Sequence, residues 1–143
     1  MKKFSIFGLF LKNPYIFKVS LKVPTSPQSG HCIYEGTVTH ELMHALGFWH
    51  EQSRPDRDDY VTVNFNNIVP GQEFNFNKYT SNYDLLGLPY DYNSIMHYSW
   101  DAFTKNGQPT IEAKTPGVQL LHSSRKRISS IDIAELRKYY NCM

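Results

Sequence analysis

The sequence predicts an α+β domain, and three local patterns support that prediction. A helix is predicted over His40 to Gly47, where apolar residues surround two histidines spaced four residues apart. The dipeptide Asn106-Gly107 is a turn signal between two runs of strand-forming residues. A second helix is predicted to begin at Ser129, because Ser129 and Asp132 have the spacing of a capping box with aspartate in place of glutamate. A hydrophobic content of 41% is typical of a globular chain.

The predicted first helix places two histidines on one face. His40 and His44 lie about one turn apart along a helix, so both imidazoles can bind one metal ion. Glu41 lies roughly 100° further round the helix, where its carboxylate can reach a metal-bound water without binding the metal itself. The apolar residues around the histidines predict a helix that is buried on most sides. These apolar residues are Leu42, Met43, Ala45, Leu46, Phe48 and Trp49.

A third histidine completes a candidate zinc site. For His50 to reach the same ion, the helix must end and the chain must turn back, and Gly47 tolerates the left-handed conformation that such a stop usually needs. Two histidines and a glutamate can also lie on a solvated helix face without any metal, but the added glycine and histidine favour a metal site. Three imidazoles with an open position are typical of a catalytic rather than a structural zinc. We therefore predict one Zn²⁺ per chain.

Segments after the third histidine resemble those of a known family. Glu51 follows His50, a segment rich in arginine and aspartate comes next at 54–59, and the segment S-I-M-H-Y follows at 94–98. Together with the histidine motif, these segments resemble the astacin family of zinc endopeptidases, within the metzincins. The resemblance implies a metzincin, zincin-like catalytic domain, mainly its active-site helix and C-terminal subdomain.

The resemblance also implies roles for individual residues. Met96 supplies a hydrophobic floor beneath the metal, in the Met-turn of the family. Tyr98 is a further zinc ligand in the resting enzyme that moves away during turnover, and its phenol then hydrogen-bonds the developing oxyanion. Glu51 matches a glutamate that is tied to the new chain N-terminus after a pro-segment is removed. Without that context, a lone tyrosine near a turn is usually a packing residue.

The other histidines and the charged segment favour structural roles. Because the zinc already has three imidazoles, His97 is expected to be structural, while His31 and His122 belong to no motif and are expected to be exposed or packing residues. The charged segment at 54–59 is either a solvated charge run or a network of ion pairs that braces the loop after the metal site. Its alternating signs favour the network.

The rest of the chain predicts a strand, a long loop and a hairpin. Residues 60–63 alternate as expected for a short strand, and residues 66–92 are rich in Asn, Tyr, Gly and Pro, which indicates a long irregular segment. The Asn106-Gly107 turn predicts a hairpin that joins 102–104 to 110–112. The C-terminal helix resembles the closing helix of the family.

A short basic run, Arg125-Lys126-Arg127, precedes that helix. Such a run is usually a solvated surface, and three residues are too few to indicate nucleic-acid binding. In family members that cut before acidic residues, this region lines the pocket for the residue after the scissile bond, which makes Arg125 a candidate substrate-binding residue. The net charge of +2 implies no special partner.

The N-terminal part of the sequence does not match the family in full. The resemblance runs from about residue 20, which predicts a partial astacin-type peptidase domain at 20–142 and an unmatched segment at 1–19. That segment resembles the start of a secretory signal without a convincing cleavage site, and its apolar run is too short to span a bilayer. Much of the N-terminal sheet that holds substrate in the family is not found, which favours a truncated or mispredicted start over a minimal enzyme.

The two cysteines are consistent with this interpretation. Cys32 and Cys142 each match a family half-cystine whose usual partner lies in the part that is not found. The two could also pair with each other, because the sequence fixes neither connectivity nor oxidation. The resemblance implies a secreted protein with disulfide bonds.

The sequence therefore predicts a secreted, zinc-dependent endopeptidase that acts on protein or peptide substrates and has no stable membrane insertion. In this prediction His40, His44 and His50 hold the zinc, Glu41 is the general base, and Tyr98 and the metal share the oxyanion. The alternative is a catalytically inactive zinc-binding fragment or an interaction module, because the substrate-binding sheet is not found. The sequence gives no indication of oligomeric state.

Overall fold

A computed structural model describes residues 34–81 and 83–142 of the chain. In chain order they form helix α1 (Glu35–Ala45), strand β1 (Val61–Val63), strand β2 (Ile111–Ala113) and helix α2 (Ser130–Tyr140), joined by loops and short 3₁₀ turns. The predicted α+β class is confirmed. The unmatched segment 1–19, His31 and Cys32 lie outside the described residues. Neither helix in the described ranges is long and apolar enough to cross a membrane.

The two strands form the larger of two cores. They pair antiparallel with Thr62 opposite Glu112, so that Val61 and Ile111 turn their side chains into the protein and are fully buried. The other buried residues of this core are Ile68, Phe76, Tyr90 and Leu120. The strand predicted near residues 60–63 is thus confirmed.

The predicted hairpin at Asn106-Gly107 is wrong, although the chain does turn there. Gly107 has a φ of 73°, and the Thr104 hydroxyl donates to the Gln108 carbonyl at 2.8 Å. Residue 104 then forms a single bridge to Ile68, while β2 pairs with β1 rather than with 102–104. The pairing of β2 with β1 is favoured because it buries Ile111 in the core. The residues of the turn alone do not indicate this burial.

Helix α2 begins where the sequence predicts. The Ser129 hydroxyl accepts hydrogen bonds from the backbone N–H groups of Ile131 and Asp132 at 3.1 and 2.9 Å, and the Asp132 carboxylate accepts from the Ser129 N–H at 2.8 Å. This reciprocal pair is the predicted capping box. The helix ends at Tyr140 and is followed by the cap residue Asn141, whose φ of 51° lies in the left-handed region.

A smaller core joins the two helices beneath the histidines. It consists of Met43 from α1 together with Ile95 and Met96 from the loop before β2, all fully buried. Ile128 and Leu136, from the C-terminal segment, pack against it. The loop at 95–96 is therefore held between the two helices.

The prediction that α1 is buried on most sides is wrong. Only Gly36 and Met43 of this helix are buried, whereas Tyr34 is 59% and Leu42 51% exposed, with Val38 between them also exposed. Positions 34, 38 and 42 are four residues apart and form one stripe along the helix. Apolar periodicity identifies the stripe, but it does not reveal whether a second layer covers it, and the described residues provide none.

Candidate metal centre

The end of α1 positions the three histidines. His40 and His44 lie on the last two turns of the helix, which stops where Gly47 takes a φ of 93°. The Phe48 N–H then reaches back to the Met43 carbonyl at 3.1 Å, so the chain reverses and leads into His50. The predicted left-handed glycine stop is confirmed, and it is what brings the third imidazole to the other two.

The three imidazoles converge on one point. One ring nitrogen from each of His40, His44 and His50 lies within 4.8 Å of the others, and the Nε2 atoms of His44 and His50 are 3.1 Å apart. Two nitrogens bound to a tetrahedral zinc, each about 2.0–2.1 Å from it, lie about 3.3 Å from one another. The donor set and its spacing therefore fit a single zinc ion.

Backbone carbonyls select the tautomers that zinc requires. His40 Nδ1 donates to the Ile95 carbonyl at 2.8 Å, and His44 Nδ1 donates to the Phe48 carbonyl at 2.9 Å. With the proton on Nδ1 in each ring, the lone pair is left on Nε2, facing the shared point. Partners of this kind orient the ligands of metal centres and increase their basicity.

Burial favours the uncharged form of two of the three histidines, His44 and His50. Desolvation and the neighbouring His44 and His40 lower the pKa of His50 to about 3, and desolvation with His40 also lowers the pKa of His44. Neutral imidazole is the form that binds a metal, so no proton has to be displaced from these rings at neutral pH.

Glu41 and Tyr98 both lie beside the histidines. Glu41 is half-buried on α1, directly after His40, and its negative charge acts on His44 in the direction that raises the pKa of that histidine. The Tyr98 ring packs on the His50 ring with 4.5 Å between centroids. Burial raises the pKa of Tyr98 to about 12, with a smaller contribution from Tyr79.

Met96 and His97 are both buried in the cores of the protein. Met96 packs against Met43 and Ile95. His97 is fully buried, with Nε2 2.7 Å from the Tyr90 hydroxyl and Nδ1 2.7 Å from the Tyr98 carbonyl. Burial, then the nearby positive charge of Lys126, lowers the pKa of His97 to about 3. The prediction of a structural role for His97 is confirmed.

The charged segment after His50 forms the predicted ion-pair network. Arg54 is almost completely buried, makes two parallel bonds to Asp56 at 2.9 and 2.8 Å, and donates to Glu51 at 3.1 Å. The Glu51 carboxylate also accepts from the Asp91 N–H at 2.8 Å. Burial raises the pKa of Glu51 to about 8, while Arg54 and the Asp91 N–H favour its charged form. Removing one member of such a buried pair typically costs about 3–5 kcal/mol.

Arg57 ties the same segment to the loop that follows β1. Its guanidinium donates to the carbonyls of Gln52 and Phe76 at 3.1 and 2.6 Å, and to the Asp58 carboxylate at 2.8 Å. Lys78 also donates to Asp58 at 2.7 Å. Hydrogen bonds from Lys78 and Arg57 lower the pKa of Asp58.

Three residues hold the loop 94–98 under the metal centre through contacts that the sequence does not predict. Gln52 Oε1 accepts from the Tyr98 N–H at 3.0 Å, and Lys126 Nζ donates to the Ser94 carbonyl at 2.9 Å. Asp132 was identified as a helix cap, but its carboxylate also binds the Ser94 hydroxyl at 2.7 Å and the Ile95 N–H at 3.0 Å. Pairings across more than thirty residues leave no local signal in the sequence.

The remaining candidates lie in the last part of the described chain. Arg125 is exposed at the end of the short 3₁₀ turn Ser123–Arg125. His122 is exposed, as predicted, and lies 3.2 Å from Asp101. Cys142 is an exposed free thiol in the described part of the chain, while Cys32 falls outside it.

The fold and the histidine triad define a partial metzincin domain with a site for one zinc ion. The family model for the astacin peptidases matches residues 24–141. The chain therefore belongs to the astacin family.

Named relatives agree with this assignment. The chain is 47% identical over 126 residues to zinc metalloproteinase nas-13 of Caenorhabditis elegans, covering 87% of this chain and 27% of that protein. It is 46% identical over 113 residues to the human meprin A subunit beta, covering 78% of this chain and 16% of that protein. The chain thus spans about a quarter or less of the length of these relatives.

A solved structure is similar as well. High choriolytic enzyme 1, a hatching enzyme zinc-protease from Oryzias latipes, superposes with a TM-score of 0.72 at 44% sequence identity. The match covers 80% of this chain and 56% of that one.

The ligand assignment predicts one zinc per chain and a strict dependence on His50. His50→Ala should weaken zinc binding by more than about 100-fold, because loss of an outer-shell partner alone typically costs 10–100-fold. Metal analysis after dialysis and chelator competition would measure this. His122→Ala is the matched control, since His122 is exposed, and it should bind zinc as the unaltered chain does. Equal zinc affinity in the two variants would contradict the assignment.

Proposed function

We propose that the protein is a zinc-dependent endopeptidase that hydrolyses internal bonds of protein or peptide substrates. The observation that supports this most directly is the convergence of three imidazole nitrogens within 4.8 Å of one another, two of them from a helix that also bears Glu41. Zinc in such a site supplies positive charge that acidifies a bound water and polarises a carbonyl. An open fourth position distinguishes this arrangement from a structural zinc site.

Glu41 is the general base in this mechanism. Its carboxylate accepts a proton from the attacking water as the water oxygen bonds to the scissile carbonyl carbon. The same proton then passes from Glu41 to the leaving nitrogen as the carbon–nitrogen bond breaks, which leaves a carboxylic acid and an amine. The half-buried position of Glu41 next to His40 suits this role.

Tyr98 stabilises the tetrahedral intermediate. A phenol whose pKa is raised to about 12 stays protonated at neutral pH, so it can donate a hydrogen bond to the oxyanion. The contact between its ring and the His50 ring supports this role. The family resemblance adds that Tyr98 binds the metal in the resting enzyme and that Met96 forms the floor of the site.

Arg125 selects an acidic residue after the scissile bond, as the family resemblance implies. The guanidinium is exposed and available to a substrate carboxylate. We further assign the protein to the extracellular space, as the family resemblance implies. The resemblance also implies that Cys32 and Cys142 are half-cystines, and that Glu51 binds the chain N-terminus of the mature enzyme.

Glu41→Gln tests the proposed chemistry. The unaltered chain should cleave an unfolded protein such as casein in a chelator-sensitive way, and the variant should lose at least about 10²–10⁴-fold in rate, the usual contribution of a general base. Zinc content should stay at one per chain, because Glu41 is not a ligand. Retained hydrolysis in the variant would remove Glu41 from this role.

The same assay distinguishes the second candidate, a catalytically inactive zinc-binding fragment or interaction module. The exposed apolar stripe that runs from Tyr34 to Leu42 favours it, because such a surface is typical of a face that meets another layer. A chain that binds zinc but cleaves no unfolded protein would establish this alternative. Chelator-sensitive cleavage would exclude it.

Tyr98→Phe should lower kcat by about 10²-fold with little change in KM, because it removes one oxyanion donor that acts mainly in the transition state. Tyr34→Phe removes an exposed phenol at the start of α1 and serves as the control. Steady-state kinetics on a fluorogenic peptide would measure both constants. An unchanged kcat in Tyr98→Phe would exclude the proposed role.

Arg125→Ser should reduce the preference for an acidic over a neutral residue after the scissile bond. The expected change is up to about fivefold, because an exposed ion pair is worth about 0.2–1 kcal/mol. Arg127→Ser is the matched control, since Arg127 is also exposed and lies two residues away. Mass-spectrometric analysis of cleavage sites in a peptide library would measure the preference, and equal effects of the two variants would contradict the assignment.

A further inference from the structure

Lys126 has an unusual position for a lysine. Only 9% of it is exposed, and Nζ donates to the carbonyls of Ser94 at 2.9 Å, His97 at 3.1 Å and Tyr92 at 3.5 Å. A lysine that merely covers apolar surface keeps its ammonium in water. Burial lowers the pKa of Lys126 to about 8, against the nearby charges of Asp91, Asp132 and Glu51. Hydrogen bonds to backbone oxygens thus replace the water that would surround an exposed ammonium.

The carbonyls that Lys126 binds belong to peptide groups whose other ends are also held. In the Ser94–Ile95 peptide, the oxygen accepts from Lys126, and the N–H donates to the Asp132 carboxylate at 3.0 Å. Because a peptide group is planar, two bonds at opposite ends fix the orientation of the whole plane. The lysine and the aspartate therefore hold this peptide from both sides.

A second peptide is held in the same way. The oxygen of the His97–Tyr98 peptide accepts from Lys126 at 3.1 Å, and its N–H donates to Gln52 Oε1 at 3.0 Å. This peptide carries the Cα of Tyr98, so its orientation determines where the phenol lies. One ammonium thus anchors both ends of the loop from 94 to 98.

The first peptide leads directly to a metal ligand. The next carbonyl along the chain, that of Ile95, accepts the hydrogen bond from His40 Nδ1 at 2.8 Å. The direction of this carbonyl sets the rotation of the His40 ring and the tautomer that leaves Nε2 for the metal. A change in the Ser94–Ile95 plane is therefore transmitted to His40 through two consecutive peptides.

The backbone of Lys126 is itself fixed against α1. A Cβ added at Gly36 would lie 2.6 Å from the Lys126 carbonyl oxygen and closer still to that of Ser123, so only glycine allows this approach. The same helix carries His40. Lys126 therefore spans the distance between the helix that bears the metal ligands and the loop that orients one of them.

We propose that Lys126 is a positioning residue of the metal centre, which acts by fixing the peptide planes that orient His40 and Tyr98. Its effect on Tyr98 rests on the proposed peptidase function, whereas its effect on His40 requires only that the triad binds zinc. The lysine touches neither the metal nor the substrate.

Lys126→Met tests the proposal, because methionine keeps the length of the side chain and removes the ammonium. The variant should bind zinc about tenfold more weakly, near the lower end of the range for residues that orient a ligand. The visible absorption bands of the Co²⁺-loaded variant should shift, since they report coordination geometry. Lys126→Arg keeps the charge and the donors and should recover part of both properties.

Lys138→Met is the matched control. Lys138 also donates to a backbone carbonyl, that of Leu86 at 2.9 Å, but it is exposed on α2. It should leave zinc affinity and the cobalt spectrum unchanged. In an active preparation, Lys126→Met should lower kcat and leave KM unchanged, which separates positioning of the reacting groups from substrate binding.

The outcomes are distinguishable. A folded Lys126→Met variant, verified by circular dichroism, with zinc affinity within about twofold of the unaltered chain and the same cobalt spectrum would overturn the proposal. If Lys126→Met does not fold, Lys126→Gln takes its place under the same criterion, and a loss of folding in all three variants would assign Lys126 to stability alone. A chain that binds zinc without cleaving peptides would refute the proposed function, while the affinity and cobalt comparisons would still decide the role of Lys126.

Discussion

The hydrogen bond between His40 Nδ1 and the Ile95 carbonyl is the contact on which the site depends. It joins the helix that supplies two metal ligands to a loop more than fifty residues later in the chain, and it determines both the rotation and the tautomer of one ligand. The small core of Met43, Ile95 and Met96 lies directly beneath this bond. Packing in this core thus sets the distance between the helix and the loop. At that distance the hydrogen bond fixes the direction in which the His40 ring points.

Buried charged side chains fix the path of the chain after His50. The buried Arg54 and Arg57 stabilise this loop by binding carboxylates of neighbouring residues and backbone carbonyls of distant segments. Buried ion pairs are a weak source of net stability, but each partner is costly to lose. This makes the path of the chain specific, so that His50 reaches the other two histidines and Gln52 reaches the Tyr98 N–H.

Local chemistry explains which features were predictable from sequence. The histidine spacing, the Gly47 stop, and the Ser129 and Asp132 cap each depend on geometry within a few residues, and the structure reproduces them. The pairing of β2 with β1, the exposure of the α1 stripe, and the burial of Lys126 depend on which distant segments meet. Lys126 shows this most clearly. A short basic run such as 125–127 usually indicates a solvated surface, but Lys126 is buried and donates hydrogen bonds to three backbone carbonyls.

Within the described part of the chain, backbone carbonyls orient two of the three histidines. His44 is oriented by the Phe48 carbonyl four residues away, and His40 by Ile95, which is in turn held through Asp132 and Lys126. The apolar stripe on the opposite side of α1 takes no part in these contacts. The orientation of the metal ligands therefore depends on the loop beneath the helix and not on the stripe. A substitution in the loop beneath the helix should accordingly change zinc affinity, while one on the stripe should leave zinc affinity unaffected.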